Sequence, residues 1–171
     1  KFVITQNIGS RVENPIMIGH SFGGKISLIY ASKYKVSKLV LFGSPFKQEI
    51  KKLSLKTKIL KFLKKVPIIN KLEGFAKKHM GSADYRNASE NMRKIMVEHV
   101  NLDIEEDVKK IDVPTLLIWG TMDTEVPVER AYELEKIMKD AGVVVYEGCS
   151  HYAYLERLEQ TIKVLKSFIG G

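Results

Sequence analysis

The chain has 171 residues, of which 44% are hydrophobic and 28% charged, a composition typical of globular proteins and not of disordered or fibrous chains. Its length fits one domain that buries a core of its own. No apolar run approaches the roughly 20 residues of a membrane-spanning helix, and the single cysteine, Cys149, excludes an internal disulfide and a cysteine-built zinc site. A lone cysteine favours a reducing compartment, so we predict a cytoplasmic location.

The formal net charge of +8 is concentrated in one segment. Residues 47–78 contain 11 lysines and 2 acidic residues, whereas the rest of the chain has 17 basic and 18 acidic residues. These lysines alternate with spaced apolar residues, which favours a solvated helix face. Weak contact with an anionic membrane surface is the second interpretation. The segment has only two aromatic residues, Phe62 and Phe75, and no recognised motif, so we expect no nucleic-acid partner.

Short apolar runs alternate with helical patterns in residues 1–45 and 112–171, and this alternation predicts a parallel sheet flanked by helices. The predicted strands are unbroken apolar runs, as expected for strands that are covered on both faces: Pro15–Ile18, Lys38–Phe42, Thr115–Trp119 and Val143–Tyr146. Trp119 is expected in the core. Two amphipathic helices follow the third and fourth strands, with apolar stripes formed by Val128, Ala131, Leu134, Ile137 and Met138 and by Leu155, Leu158, Ile162, Leu165, Phe168 and Ile169.

Residues 46–111 show only helical periodicity, which predicts a helical insertion between the second and third strands. Two of the four histidines, His79 and His99, fall in this insertion, where solvent-exposed or structural roles are favoured over substrate contact. The stretch Asp84-Tyr85-Arg86 is a further candidate for lining a pocket, although a structural role is again the favoured interpretation.

A serine lies between the first predicted strand and a predicted helix over Lys25–Ser32, in the sequence Gly19-His20-Ser21-Phe22-Gly23-Gly24. This is the pattern G-x-S-x-G, in which a sharp strand-to-helix turn needs small residues on both sides of the serine. Such a turn lifts the hydroxyl above the sheet and aims backbone N–H groups of the helix at a developing oxyanion. We predict that Ser21 is a nucleophile; the alternative is that it forms a purely structural turn. His20 is expected to pack or to form a hydrogen bond.

A serine nucleophile needs a base and an orienting carboxylate. Asp123 follows the third predicted strand and His151 follows the fourth, so both belong to the edge where open parallel sheets bind ligands. The alternatives are a loop carboxylate for Asp123, with Glu125 or Asp112 as the orienting acid, and a surface histidine for His151. Cys149, two residues before His151, is interpreted as a small structural residue.

Three segments carry a resemblance to a known family: residues 19–24, the run Leu116-Leu117-Ile118-Trp119-Gly120-x-x-Asp123, and Gly148-x-x-His151. Together they resemble the α/β-hydrolase superfamily, which has a nucleophile elbow and a Ser…Asp…His order. The resemblance implies that Ser21 is the nucleophile, His151 the general base, Asp123 its orienting acid, and the Phe22 N–H an oxyanion donor. It also implies that residues 46–111 form a cap over an α/β core. No metal or organic cofactor is implied.

Members of this superfamily carry further strands before the elbow, together with a loop that supplies a second oxyanion donor. Only 18 residues precede Gly19, so we expect the C-terminal part of the fold, with its first strand as an exposed edge that favours self-association. The expected function is hydrolysis of a carboxylic ester or related acyl bond of a small molecule, through an acyl-enzyme. Alternatives are a C–C hydrolase, thioesterase or acyltransferase of the same fold, or a catalytically weak module that binds a ligand or a membrane surface.

Overall fold

Four parallel strands pair in the order β1-β2-β3-β4 in a computed structural model that describes residues 13–47, 88–100 and 102–170. The strands are β1 (Ile16–His20), β2 (Lys38–Phe42), β3 (Thr115–Gly120) and β4 (Ala141–Tyr146). The order in space follows the order in sequence. Because every neighbouring pair is parallel, each connection returns to the same end of the sheet. The predicted α/β class with a parallel sheet is confirmed.

Strand ends differ from the sequence prediction where pairing extends a strand into weak strand-forming residues. β1 continues through Gly19 and His20, which pair with Leu41 and Phe42 of β2. β4 begins two residues before Val143, because Ala141 and Gly142 pair with the start of β3. Ladder hydrogen bonds with a neighbour can outweigh the low strand propensity of glycine and alanine, and an amino-acid run alone does not show them.

Six helices occur among the described residues: α1 (Phe22–Ala31), α2 (Glu90–Val100), α3 (Glu105–Val108), α4 (Glu129–Ile137), α5 (Ala153–Glu156) and α6 (Leu158–Gly170). α1 follows β1 after a single residue, α4 connects β3 to β4, and α5 and α6 follow β4. Within the described ranges, no helix combines the length and the apolar character that crossing a membrane requires.

Helices cover both faces of the sheet, so the central strands bury successive side chains on opposite sides. On one face, residues of β2 and β3 pack with α1, α3 and α4, in a cluster that includes Leu28, Leu39, Leu41, Val108, Leu117, Trp119, Ala131 and Leu134. On the other, the alternate residues pack with β4, α5 and α6, in a cluster that includes Val40, Phe42, Leu116, Ile118, Tyr146, Ala153 and Phe168. Trp119 is buried as predicted, and its Nε1–H donates to the Val126 carbonyl at 3.0 Å.

The apolar stripe predicted for the last helix does not match its buried face. Leu165 and Phe168 pack on the sheet as the stripe requires, but Leu155, Leu158 and Ile162 are exposed. The buried position of α6 is instead Thr161, whose hydroxyl donates to the Tyr146 hydroxyl at 3.2 Å. Apolar residues occupy more than one side of α6, and periodicity alone does not show which side meets the sheet.

The chain divides into two compact units, residues 1–47 with 102–171, and residues 48–101. In the second unit α2 is described; the Ser89 hydroxyl caps it by accepting from the Met92 N–H at 3.3 Å, and His99 bonds the Ile95 carbonyl one turn back. Apart from Lys47, which pairs with Glu133 at 2.8 Å, the lysine-rich segment lies outside the described residues, as do His79 and residues 84–86. The assignment of residues 46–111 to a helical cap stays a prediction.

β1 is an edge strand of the described sheet. Its Ile16 and Ile18 side chains are 37% and 54% exposed, whereas Met17 packs against the core on the opposite face. An exposed edge was expected from the sequence. Self-association through it stays a prediction.

Candidate active site

Ser21 alone joins β1 to α1, and its backbone adopts φ 53° and ψ −127°. A non-glycine residue rarely adopts a positive φ, and it persists only where the surroundings hold it. Here the Ser21 N–H donates to the Phe42 carbonyl at 2.9 Å, and its own carbonyl accepts from the N–H groups of Gly24 and Lys25 at 3.0 and 3.2 Å. These bonds fix the turn at the carboxyl end of β1, where a nucleophile elbow is expected.

The glycines around Ser21 are required by close backbone contacts. A Cβ atom at Gly19 would lie 2.6 Å from the Cα of Gly24 and 2.8 Å from the Gly23 carbonyl oxygen. A Cβ atom at Gly24 would lie 1.7 Å from the Oγ of Ser44, which is buried and donates to the Phe42 carbonyl. No side chain fits at either position, which is the physical reason for the G-x-S-x-G pattern in this chain.

Asp123 lies in the loop after β3, with its carboxylate buried. Its Oδ1 accepts hydrogen bonds from the backbone N–H groups of Glu125 and Val126, each at 2.9 Å. Because two amides hold Oδ1, the other oxygen, Oδ2, has a fixed direction. That direction is toward His151.

The His151 Nδ1 lies 2.7 Å from Asp123 Oδ2, and the two side chains are only 4% and 1% exposed. A carboxylate accepts, so Nδ1 carries the hydrogen and Nε2 is the basic nitrogen of the neutral ring. The loop before His151 is held by the Glu156 carboxylate, which accepts from the Ser150 N–H at 3.1 Å and from the Ser150 hydroxyl. The structure thus brings the predicted acid and base together.

The two rival acids lie elsewhere. Asp112 is exposed and precedes β3, so it belongs to the amino end of that strand, opposite the Asp123 loop. Glu125 approaches the other ring nitrogen of His151, with Oε2 3.8 Å from Nε2. Neither carboxylate occupies the position on Nδ1 that orients the ring.

Two contacts connect the Ser21 turn to the His151–Asp123 pair, one through His20 and the other through Phe42 and Gly43. His20 Nε2 donates to the His151 carbonyl at 3.1 Å, and the two imidazole rings lie with centroids 4.6 Å apart. Phe42, whose carbonyl binds the Ser21 N–H, is followed by Gly43, which lies directly against the pair. The ends of β1, β3 and β4 therefore converge as the sequence predicts, and His20 packs and hydrogen-bonds.

Phe22 is the first residue of α1, and its side chain is buried. The first N–H groups of a helix precede any intrahelical acceptor and lie at the positive end of its dipole. The backbone N–H of Phe22 is therefore placed to stabilise an anion beside Ser21. Its assignment as an oxyanion donor stays a prediction.

Gly43 is a site residue that the sequence reading missed. Its φ is +48°, and a Cβ atom there would lie 2.9 Å from His151 Nδ1 and 3.0 Å from Asp123 Oδ2. The run Gly43-Ser44-Pro45 after β2 does signal a turn. Its contact with Asp123 and His151 depends on how β2 lies beside β3, which no local pattern shows.

We expect Gly43→Ala to lower both stability and activity. The positive φ costs about 1–2 kcal/mol for a residue with a Cβ, and the methyl group must displace the imidazole or the carboxylate. A displacement of this kind costs about 10²-fold in kcat. The matched control is Gly148→Ala, because Gly148 has φ +72° but no atom of the described residues within 4 Å of its Cβ position. Initial rates give kcat for both variants, and urea-unfolding curves give their stability. Equal losses of kcat in the two variants would contradict a role for the contact of Gly43 with His151 and Asp123.

Lys25, four residues after Ser21, is fully buried. Its Nζ donates to the carbonyl of Leu102, which begins the segment leading into α3. Burial lowers the pKa of Lys25 from 10.5 to about 8, and attraction by Asp103 partly opposes this change. The charged form is thus disfavoured in the folded chain relative to the unfolded one.

This pKa predicts a pH dependence of stability. Between pH 8 and 10.5 the unfolded chain binds the Lys25 proton more than the folded chain does, so the free energy of unfolding rises with pH across that window. We expect the stability of the wild type relative to Lys25→Met to increase by on the order of 2 kcal/mol from pH 7 to pH 10. Urea unfolding of both proteins at the two pH values measures it. A pH-independent difference would show that Lys25 ionises normally in the folded protein.

Within ranges 13–47, 88–100 and 102–170, no three His, Cys, Asp or Glu side chains converge as a metal-binding group. Cys149 is buried, with its Sγ 3.7 Å from the Glu147 carbonyl oxygen, which fits the predicted structural role.

Known proteins resemble this chain in sequence and in fold. The chain is 28% identical over 187 aligned positions to "Monoacylglycerol lipase ABHD6" of Mus musculus, an alignment that covers 91% of this chain and 54% of the relative. It thus spans about half the length of that relative. An α/β-hydrolase enzyme from a sediment metagenome of the Mar Chica lagoon, Morocco, superposes with a TM-score of 0.62 at 25% identity, covering 92% of this chain and 62% of the other.

A serine hydrolase involved in carbazole degradation has the same fold, with a TM-score of 0.63 at 23% identity over 94% of this chain and 65% of its own. Residues 2–157 match the family model Hydrolase_4, described as "Serine aminopeptidase, S33". That match covers most of the chain, including the segments that carry Ser21, Asp123 and His151. The chain therefore belongs to the Hydrolase_4 family, within the α/β-hydrolase superfamily.

Proposed function

We propose that the protein is a serine hydrolase that cleaves a carboxylic ester or a related acyl bond of a small molecule. The buried 2.7 Å hydrogen bond between His151 Nδ1 and Asp123 Oδ2 is the observation that carries the proposal. It fixes a base whose Nε2 is the proton-accepting nitrogen, at the sheet edge where Ser21 sits in its positive-φ turn. The similarity to a monoacylglycerol lipase supports an ester substrate.

In the first half of the proposed reaction, His151 Nε2 removes the Ser21 hydroxyl proton as Oγ bonds to the substrate carbonyl carbon. The carbonyl π electrons move to oxygen, and the resulting oxyanion is stabilised by the Phe22 N–H. Asp123 stabilises the imidazolium and keeps the ring orientation through Nδ1. Collapse of the intermediate breaks the bond to the leaving alcohol, which takes the proton from Nε2, and the acyl group stays on Ser21.

In the second half, water replaces the alcohol. His151 Nε2 accepts a proton from water as the water oxygen bonds to the acyl carbon, and collapse of the second intermediate releases the carboxylic acid. The proton returns from Nε2 to the Ser21 oxygen. No group other than the three side chains, the backbone donor and water is needed for the cycle to balance.

The alternatives predicted from the sequence differ from this proposal in the bond that breaks or in the absence of turnover. C–C hydrolysis, thioester hydrolysis and acyl transfer would use the same side chains with another electrophile or acceptor. A catalytically weak ligand-binding module would bind the ester and release it unchanged. Contact with an anionic membrane through the lysine-rich segment and a cytoplasmic location stay predictions.

The test is a matched substrate panel. Initial rates are measured for a monoacylglycerol, an aryl ester, the corresponding thioester and a vinylogous diketone whose hydrolysis breaks a C–C bond, with His151→Ala as the reference. We expect ester turnover in the wild type, lowered by about 10³-fold or more in His151→Ala. Ester binding without turnover, or turnover indifferent to His151→Ala, would contradict the proposal; preferential cleavage of the diketone would reassign the reaction.

A further inference from the structure

A second carboxylate lies beside the Nε2 atom of the His151 imidazole. Glu125 Oε2 lies 3.8 Å from Nε2, and its side chain is 34% exposed. The Glu125 backbone is fixed, since its N–H donates to the same Asp123 carboxylate that orients the ring. One short segment, Asp123-Thr124-Glu125, thus places a negative charge on each nitrogen of one histidine.

The two carboxylates differ in what else they can reach. Asp123 is buried and both of its carboxylate oxygens are hydrogen-bonded to groups of the protein, so it is not placed to contact a substrate. Glu125 is partly open to solvent and lies beside the nitrogen through which the proton passes in the proposed reaction. Any acyl group that reaches Ser21 must approach Nε2, so it comes within a few ångströms of the Glu125 charge. At such separations a partly exposed charge discriminates between substrates of opposite sign.

We propose that Glu125 is a specificity-determining residue, which selects substrates carrying a cationic group close to the scissile acyl bond and disfavours those carrying an anionic one. The inference rests on the proposed hydrolase function. An amine-bearing ester or amide would place its ammonium group against the Glu125 carboxylate. A substrate with a carboxylate at that place would meet a like charge, and water cannot fully screen the repulsion in a half-buried site.

Three esters of one alcohol test the proposal, identical in length but ending the acyl chain in a methyl, an ammonium or a carboxylate group. The kcat/KM ratio of the cationic to the anionic ester is measured in the wild type and in Glu125→Gln. We expect the wild-type ratio to exceed one and to fall about tenfold in the variant. Glu129→Gln is the matched control, because it removes an exposed carboxylate four residues further on, and its ratio should equal that of the wild type.

The pH profile gives a second readout. The charged and titratable groups shown against His151 are Asp123, Glu125, His20 and the Tyr152 ring. A carboxylate beside an imidazole favours its protonated form, which cannot act as the base. Glu125→Gln should therefore shift the acid limb of kcat/KM for the methyl ester to lower pH by about half a unit, whereas Glu129→Gln should leave the limb in place.

Failure of this inference is distinguishable from failure of the proposed function. A charge ratio equal in the wild type and Glu125→Gln, with hydrolysis still dependent on Ser21, would overturn the specificity role alone. Hydrolysis that persists in Ser21→Ala would overturn the proposed function and this inference with it. A ratio lowered equally by Glu125→Gln and Glu129→Gln would show a long-range effect of net charge and would also overturn the assignment to Glu125.

Discussion

Replacing Ser21 by alanine is expected to lower kcat for ester hydrolysis by about 10⁵-fold, since the variant has no oxygen to form the acyl-enzyme. The fold should survive, because the hydrogen bonds that hold the turn are made by the Ser21 backbone and not by its side chain. The Ser21 N–H donates to the Phe42 carbonyl. Initial rates at saturating ester, with circular dichroism to verify folding, measure the effect.

The matched control for this substitution is Ser32→Ala. Ser32 caps the far end of α1 with a hydroxyl that donates to the Ile29 carbonyl at 2.9 Å, so its loss removes a serine from the same helix but not from the sheet edge. Activity should stay within about twofold of the wild type, as expected for a substitution away from the reacting groups. If Ser21→Ala kept more than a hundredth of the activity while Ser32→Ala was normal, a nucleophile other than Ser21 would be required.

Asp123→Asn is expected to lower kcat by about 10⁴-fold without unfolding the protein. The reason lies in the hydrogen bonds of its two oxygens. The amides of Glu125 and Val126 hold Oδ1, so an asparagine would keep its carbonyl oxygen there and turn its NH₂ group toward His151. An NH₂ donor needs a lone pair on Nδ1, which moves the ring hydrogen to Nε2 and removes the base.

Asp112→Asn is the control for Asp123→Asn, because it makes the same chemical change in an exposed residue before β3. Its kcat should equal that of the wild type. The pH–rate profiles of all three proteins show whether the loss comes from the base. A loss smaller than tenfold in Asp123→Asn, with a normal profile, would exclude Asp123 as the orienting acid.

The sheet, and the placement of the three candidate site residues at its edge, were predictable from the sequence because their signals are local. Strands buried on both faces must be apolar along their length, which is why β2 was found with its exact ends. The turn at Ser21 needs glycine at Gly19 and Gly24 for steric reasons, so it leaves a motif. Asp123 and His151 lie in the loops that follow β3 and β4, and parallel strands bring their carboxyl ends to one edge.

Features that depend on contacts between distant segments were not predictable. Gly43 lies against Asp123 and His151 only because β2 and β3 pair in register, with Leu41 beside Leu117 and Phe42 beside Ile118. From the sequence, Glu125 was an alternative to Asp123 as the acid that orients His151. In the structure the two carboxylates lie beside different nitrogens of the His151 ring. A spacing of two residues in a turn does not show this difference.

The most direct test of the account is covalent labelling by a fluorophosphonate, which reacts with a serine only when a neighbouring base activates it. The intact mass of the labelled protein gives the number of adducts, and peptide mapping gives their position. We expect one adduct, on Ser21, which is absent when His151→Ala is labelled under the same conditions. An adduct on another serine, or none on the folded protein, would contradict the assignment of Ser21, His151 and Asp123 as a working catalytic set.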